Sequence, residues 1–157
     1  MPNSLEGQVA LITGGSQGIG RAVALALAAQ GMNLVLAART ASKLETTAEE
    51  LRKSGVRVVT VPTDVSKLED LERLVATCVS EFGGIDVLVN NAGIAGGHGR
   101  LDTVDAAMLT RLFGVNVVGA FVCAREAAQR MATSRGGRGG VIVNVSSFGG
   151  RAGIPAE

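Results

Sequence analysis

This sequence predicts a doubly wound α/β fold: a parallel β-sheet with helices on both faces. Three observations lead there. Five short apolar runs alternate with stretches of helical period; the runs give way to glycine, proline or polar residues; and the helical stretches stop at glycine. Strands that alternate with helices in this order are joined by right-handed crossovers and so lie parallel.

The elements follow in order. Val9-Ala10-Leu11-Ile12-Thr13 is an almost unbroken apolar run, as suits a strand buried on both faces, and it ends in glycines. Arg21 to Gln30 is rich in Ala and Leu with no breaker, and Gly31 stands where a helix C-cap would. Asn33 to Ala38 reads as the second strand. Ser42-Lys43-Leu44-Glu45 has the form of a capping box, which opens a helix to about Ser54, closed by Gly55. Val56 to Val61 is the third strand, stopped by Pro62. Ser66-Lys67-Leu68-Glu69 repeats the capping box and starts a helix to about Phe82, with Gly83-Gly84 as its stop. Ile85 to Asn90 is the fourth strand. Asp102 to about Ser134 carries one or two helices, a short one and then a long one. A Gly/Arg-rich turn, Arg135 to Gly140, leads into a fifth strand, Val141 to Ser147.

The 157 residues suffice for one domain that buries roughly 70% of its unfolded surface. No repeat or linker divides them, so 1–157 reads as a single doubly wound α/β domain. A net charge of +1 lacks the basic excess that nucleic-acid or membrane-surface binding needs. No apolar run approaches the ~20 residues of a membrane span, and the first residues lack a signal-peptide core. A cytoplasmic protein is the expectation. Cys78 and Cys123, among apolar helical neighbours, read as buried free thiols of a reducing compartment. His98 has no second histidine to make a metal site and reads as a loop residue; no metal is expected. Two oddities remain: 22 glycines, and no Trp or Tyr.

Thr13-Gly14-Gly15-Ser16-Gln17-Gly18-Ile19-Gly20 lies between the first strand and the first helix, where an open α/β sheet of Rossmann type receives a phosphate. Glycine lets the backbone approach the pyrophosphate, and the free N–H groups at the helix start attract its charge. The spacing is Gly-x3-Gly-x-Gly, unlike the common Gly-x-Gly-x2-Gly. No Lys-Ser/Thr pair follows, so this is not a P-loop. At the end of the second strand an acidic residue would hold the ribose hydroxyls and repel a 2′-phosphate. Ala37-Ala38-Arg39 stands there instead. Arg39 can pair a phosphate in bidentate fashion, which favours NADP(H) over NAD(H); the alternative is an ordinary solvated arginine.

Five motifs in sequence resemble the short-chain dehydrogenase/reductases. They are Thr13-Gly14-x3-Gly18-Ile19-Gly20, Asp64-Val65, Asn90-Asn91-Ala92-Gly93, Asn116 within Val-Asn-Val, and Ile142-Val143-Asn144-Val145-Ser146-Ser147. The resemblance implies that Gly14, Ser16, Gln17, Gly18, Ile19 and Gly20 hold the pyrophosphate and its ribose. Asp64 would meet the adenine amino group with Val65 beside it, and Asn91, Ala92 and Gly93 would line the cofactor. Bland readings stay open, since Asp64 and the paired asparagines also suit turns.

For the chemistry, the resemblance implies a Ser, a Tyr, a Lys and an Asn. Ser147, rather than Ser146, would bond the substrate carbonyl oxygen, and Asn116 would hold a proton-relaying water. Strand-end and packing roles are the alternatives for these. The Tyr, its pKa lowered by the Lys, would exchange the proton. The implied Tyr-x3-Lys falls just past Glu157, so the chain is expected to be an amino-terminal portion, with the carboxyl-terminal part of the fold missing and the fifth strand left as an apolar edge.

The expected function is interconversion of a small-molecule carbonyl and alcohol by NADP(H)-dependent hydride transfer, with homo-oligomers at full length and no turnover from these residues alone. A catalytically silent dinucleotide-binding module and a non-binding structural fragment are the other classes. The glycine turn speaks against the fragment, and the missing Tyr favours the silent module.

Overall fold

In the computed structural model, residues 5–96, 101–147 and 149 are described; His98 and Arg151 to Glu157 lie outside them. The predicted elements are present with shifted ends. They are β1 Val9–Thr13, α1 Gly18–Ala29, β2 Asn33–Ala38, α2 Ala41–Arg52, β3 Val58–Pro62, α3 Leu68–Phe82 and β4 Val87–Asn90. A short turn at Leu101–Thr103 precedes α4, Ala106–Phe113. A π-helical turn over Gly114–Gly119 joins it to α5, Ala120–Met131, and β5 is Val141–Asn144. All strands pair in parallel, in the order β3-β2-β1-β4-β5. This is the Rossmann-like arrangement expected from the alternation.

β1 is buried at every position because it is central and covered on both sides. Leu11 faces a core shared with Leu71, Leu74 and Val75 of α3 and with Cys123 and Ala127 of α5. Ile12 faces the opposite core, with Ala24 and Ala28 of α1 and Leu44 and Leu51 of α2. The even and odd positions of one strand thus feed two cores.

Several boundaries differ from expectation for identifiable reasons. Neither capping box forms as written. α2 begins at Ala41, with Thr40 as N-cap and no side-chain cap bond. α3 begins at Leu68 behind Lys67, again without a side-chain cap, because Ser66 turns its hydroxyl to Asp64 Oδ1 at 2.7 Å. β3 starts at Val58, since Arg57 N donates to the side chain of Asn33 rather than to a ladder partner. β4 starts at Val87 and β5 stops at Asn144, where its partner β4 ends. Asp102 lies in the short turn; Asp105 is the true cap of α4, accepting from Ala107 N and Met108 N at 3.3 Å each. Gly83 closes α3 with φ +78°, a left-handed stop as expected.

β5 stands at the sheet edge with Val141 and Val143 exposed, and Phe113, Val118 and Phe121 are exposed along the neighbouring helix. Among the described residues, Ala106–Met131 is one helix long and apolar enough to cross a membrane by length and composition. An uninterrupted-run criterion misses it, because Arg111, Asn116 and Arg125 punctuate the stretch. Its Cys123, Ala127 and Met131 are nevertheless packed into the core.

Candidate active site

The strand order reverses between β1 and β4: the chain steps outward from β1 to β3, then crosses back to β4 on the other side. Ligands of open α/β sheets bind in the crevice at the carboxyl ends of the strands at such a point. Here the two strand ends are stitched together. Thr13 Oγ1 accepts hydrogen bonds from Asn91 N and Ala92 N, both at 3.0 Å, and donates to Val89 O. Asn91 Nδ2 donates in return to Thr13 O and Gly14 O.

The glycine turn packs against this stitch too closely for side chains. Gly14 has φ +68°, and a Cβ on it would lie 2.7 Å from Asn91 Nδ2. A Cβ on Gly20 would lie 2.3 Å from Gly14 O. Gly18, by contrast, has open space where a Cβ would sit. Gln17 caps α1 without a side-chain bond, which leaves the helix-start N–H groups to a ligand.

Two cavities meet over this crevice. The first, about 330 Å³, reaches from the glycine turn past Arg39, Thr40 and Lys43 to Thr63, Asp64 and Val65. The second, about 540 Å³, runs over the end of β5 and is lined by Asn116, Phe121, Asn144, Ser146 and Ser147. Both include Asn91, Ala92 and Gly93. A long ligand laid across the switch point would touch Arg39 at one end and Ser147 at the other. The donor set suits a dinucleotide: a glycine cradle for the pyrophosphate, exposed cations for a further phosphate, and a carboxylate for an amine.

Of the sequence-derived candidates, Gly14, Ser16, Gln17, Gly18, Arg39, Asp64 and Val65 line the first cavity together with Asn91 to Gly93. Gly20 and Ile19 do not: Gly20 is buried beneath the turn, and Ile19 is 62% exposed on α1. Asn116 and Ser147 share the second cavity, and the Asn116 amide is partly engaged, with one N–H and one acceptor lone pair left over. Its Oδ1 accepts from Ile94 N and its Nδ2 donates to Ile94 O, each at 2.8 Å, so the side chain clamps the strand-end segment. Ser147 Oγ accepts from Gly149 N at 3.2 Å.

Hydrogen bonds from the Ser66 hydroxyl and N–H hold the Asp64 carboxyl below its ordinary range, against the opposing effect of burial. Lys67 and Arg39 add to the lowering, so Asp64 presents a charged acceptor. Cys78 and Cys123 are free and buried, and burial pushes both thiols up to about 12. No group of three or more potential metal ligands gathers among the described residues.

Sequence reasoning missed Thr13 as an organiser, because its partners are more than seventy positions away. It missed Lys43, whose Nζ reaches Gln17 Oε1 at 3.4 Å, having assigned it only to a cap. Asn90 also escaped a role: its Nδ2 bridges Ala120 O and Asn144 Oδ1, tying the helix to β5.

Comparisons with known proteins agree with this fold. The family model for short chain dehydrogenases matches residues 8–157. A 3-oxoacyl-[acyl-carrier-protein] reductase of Synechocystis sp. is 35% identical, over 98% of this chain and 61% of its own length. Among solved structures, a metagenomic short-chain oxidoreductase in complex with NADP superposes with a TM-score of 0.89 at 34% identity, covering 97% of this chain and 67% of that one. An NAD+-bound xylitol dehydrogenase gives 0.92 at 32% identity, covering 98% of this chain and 58% of that one. The chain spans about 60% of the length of the curated relatives it matches. Fold, crevice and matched sequence have one owner: the chain belongs to the short-chain dehydrogenase/reductase family of oxidoreductases.

Proposed function

We propose that this chain serves an NADP(H)-dependent oxidoreductase that interconverts a small-molecule carbonyl and its alcohol. The observation that carries the reading is the pair of cavities meeting on Asn91, Ala92 and Gly93, with Arg39 and Lys43 at one end and Ser147 at the other. The nicotinamide, when bound, gives or takes the hydride. The glycine turn and the start of α1 bind the pyrophosphate, and Asp64 accepts from the adenine amino group. Asn91 and Ala92, pinned by Thr13, and Gly93 beside them would line the cofactor. Ser147 donates to the carbonyl oxygen and steadies its developing charge. Asn116 clamps Ile94 with one N–H and its oxygen, and its second N–H and remaining lone pair can hold a proton-relaying water.

The preference for the 2′-phosphate is supported by Arg39 on a cleft wall with no carboxylate at the end of β2. Neighbours in this family carry NADP or NAD, so this residue is the one to test. A bidentate charge-assisted pair contributes about 1.5–3 kcal/mol, or roughly 10–100-fold in affinity. Arg39→Asp is expected to weaken NADPH by that factor and leave NADH unweakened, measured by cofactor fluorescence. Unchanged relative affinities would remove Arg39 from the site.

These 157 residues contain no tyrosine. Without that general acid–base a loss of ~10²–10⁴ in rate is expected, so we propose binding without measurable turnover from this chain by itself. The exposed Phe113, Val118 and Phe121 support self-association into homo-oligomers, and the buried free thiols support a reducing, cytoplasmic setting.

A further inference from the structure

The loop that carries Asp64 is held by a device on α3 that the capping-box pattern does not describe. Asp70, in the first turn of α3, reaches back past the helix start and accepts from Asp64 N at 2.8 Å through Oδ2. Its other oxygen pairs with Arg73 Nη1 at 2.9 Å, and Arg73 Nη2 donates to Pro62 O at 2.8 Å. One ion pair on one helix face thus grips the loop at two points, on either side of Thr63. The Asp64 side chain is fixed separately, its Oδ1 accepting from Ser66 N and Oγ. That leaves Oδ2 without a hydrogen-bond partner among the described residues, and Asp64 lines the first cavity. The bond from Asp64 N, ahead of Arg73 and Lys67, holds the Asp70 carboxyl below its usual range, so the grip is charged at neutral pH.

We infer that Asp70, braced by Arg73, is a positioning residue that aims Asp64 and so sets selectivity for a cofactor base bearing an exocyclic amino group. A carboxylate accepts a hydrogen bond from an amine but repels a carbonyl oxygen in the same place, so selectivity depends on where Oδ2 is held. The inference rests on the reading of Asp64 as the adenine contact. Neither Asp70 nor Arg73 touches the cofactor; both act through the loop.

The test compares NADPH with its hypoxanthine analogue, in which a carbonyl replaces the amino group, by fluorescence titration of wild type, Asp64→Ala and Asp70→Asn. Wild type is expected to prefer NADPH. Asp64→Ala should abolish that preference, and Asp70→Asn should reduce it at least several-fold while the analogue binds within about two-fold of wild type. If Asp64→Ala keeps the preference, the adenine assignment itself fails, and the inference with it. If Asp64→Ala loses the preference but Asp70→Asn keeps it, or weakens both ligands equally, Asp70 is merely structural and the inference alone is overturned. Melting curves confirm folding; should Asp70→Asn not fold, Arg73→Gln takes its place in the same comparison, and a retained preference overturns the inference in the same way.

Discussion

Replacing Thr13 by Val isolates the stitch between β1 and β4, because Val keeps the shape and β-branching of Thr and removes only the hydroxyl. Thr13 is 2% exposed, and its Oγ1 serves Asn91 N, Ala92 N and Val89 O. Loss of the oxygen orphans two backbone donors at about 1–3 kcal/mol each. Both Asn91 and Ala92 are half-buried rather than sealed, so water relieves part of the loss and about 2–4 kcal/mol is expected. Thr13→Ser is the complement: it keeps the bonds and removes a buried methyl, costing about 1 kcal/mol. Urea unfolding followed by circular dichroism, with an unchanged slope, gives both numbers. A Val variant within about 0.5 kcal/mol of wild type, or a Ser variant more damaging than Val, would refute the organising role of the hydroxyl. Cofactor affinity should follow the same order, since Asn91 and Ala92 border both cavities.

Two further outcomes follow from the same packing. Gly20→Ala would gain about 1 kcal/mol of helix propensity but places a Cβ 2.3 Å from Gly14 O and 2.5 Å from Asn91 Nδ2. The backbone must move, so a net loss of about 1–3 kcal/mol and weaker NADPH binding are expected; a raised melting temperature would contradict the close packing. Cys78 and Cys123, pushed to about 12 by burial, should resist a thiol reagent at pH 8 in the folded chain. Their labelling should speed up with urea in step with opening of the α3–α5 core; fast labelling without denaturant would show that core to be open.

The sequence was legible wherever structure depends on local period. Buried strands read as apolar runs, and helix stops read as glycines, because burial and left-handed turns are recorded at the positions themselves. Competition between partners was not legible. Ser66 carries a capping signature, yet its hydroxyl goes to Asp64, and Asp70 reaches past the helix start to the same residue. Either pairing satisfies local rules, and the sequence does not say which wins. The cavity walls were mostly legible through motif order, but Thr13 and Asn90 take their roles from strands that meet only after folding. Asn116 was singled out from its Val-Asn-Val setting; its reciprocal bonds to Ile94 are made from a helix irregularity with no evident composition signal.

That irregularity has a consequence for how the chain tolerates length change. A π-helical turn holds an additional residue relative to an α-turn, so the segments on its two sides are out of phase by about 100°. Upstream of Gly114–Gly119 the helix has no buried residue, whereas downstream it points Cys123, Ala127 and Met131 inward. Gly119, at the junction, lies so close to Val65 O that a Cβ would be 2.4 Å away. The turn therefore works as a phase shifter, decoupling the rotational setting of α4 from that of α5. Removal of one residue between Gly114 and Gly119 would restore a regular helix, but would rotate either the Asn116 amide off Ile94 or the inward stripe off α3.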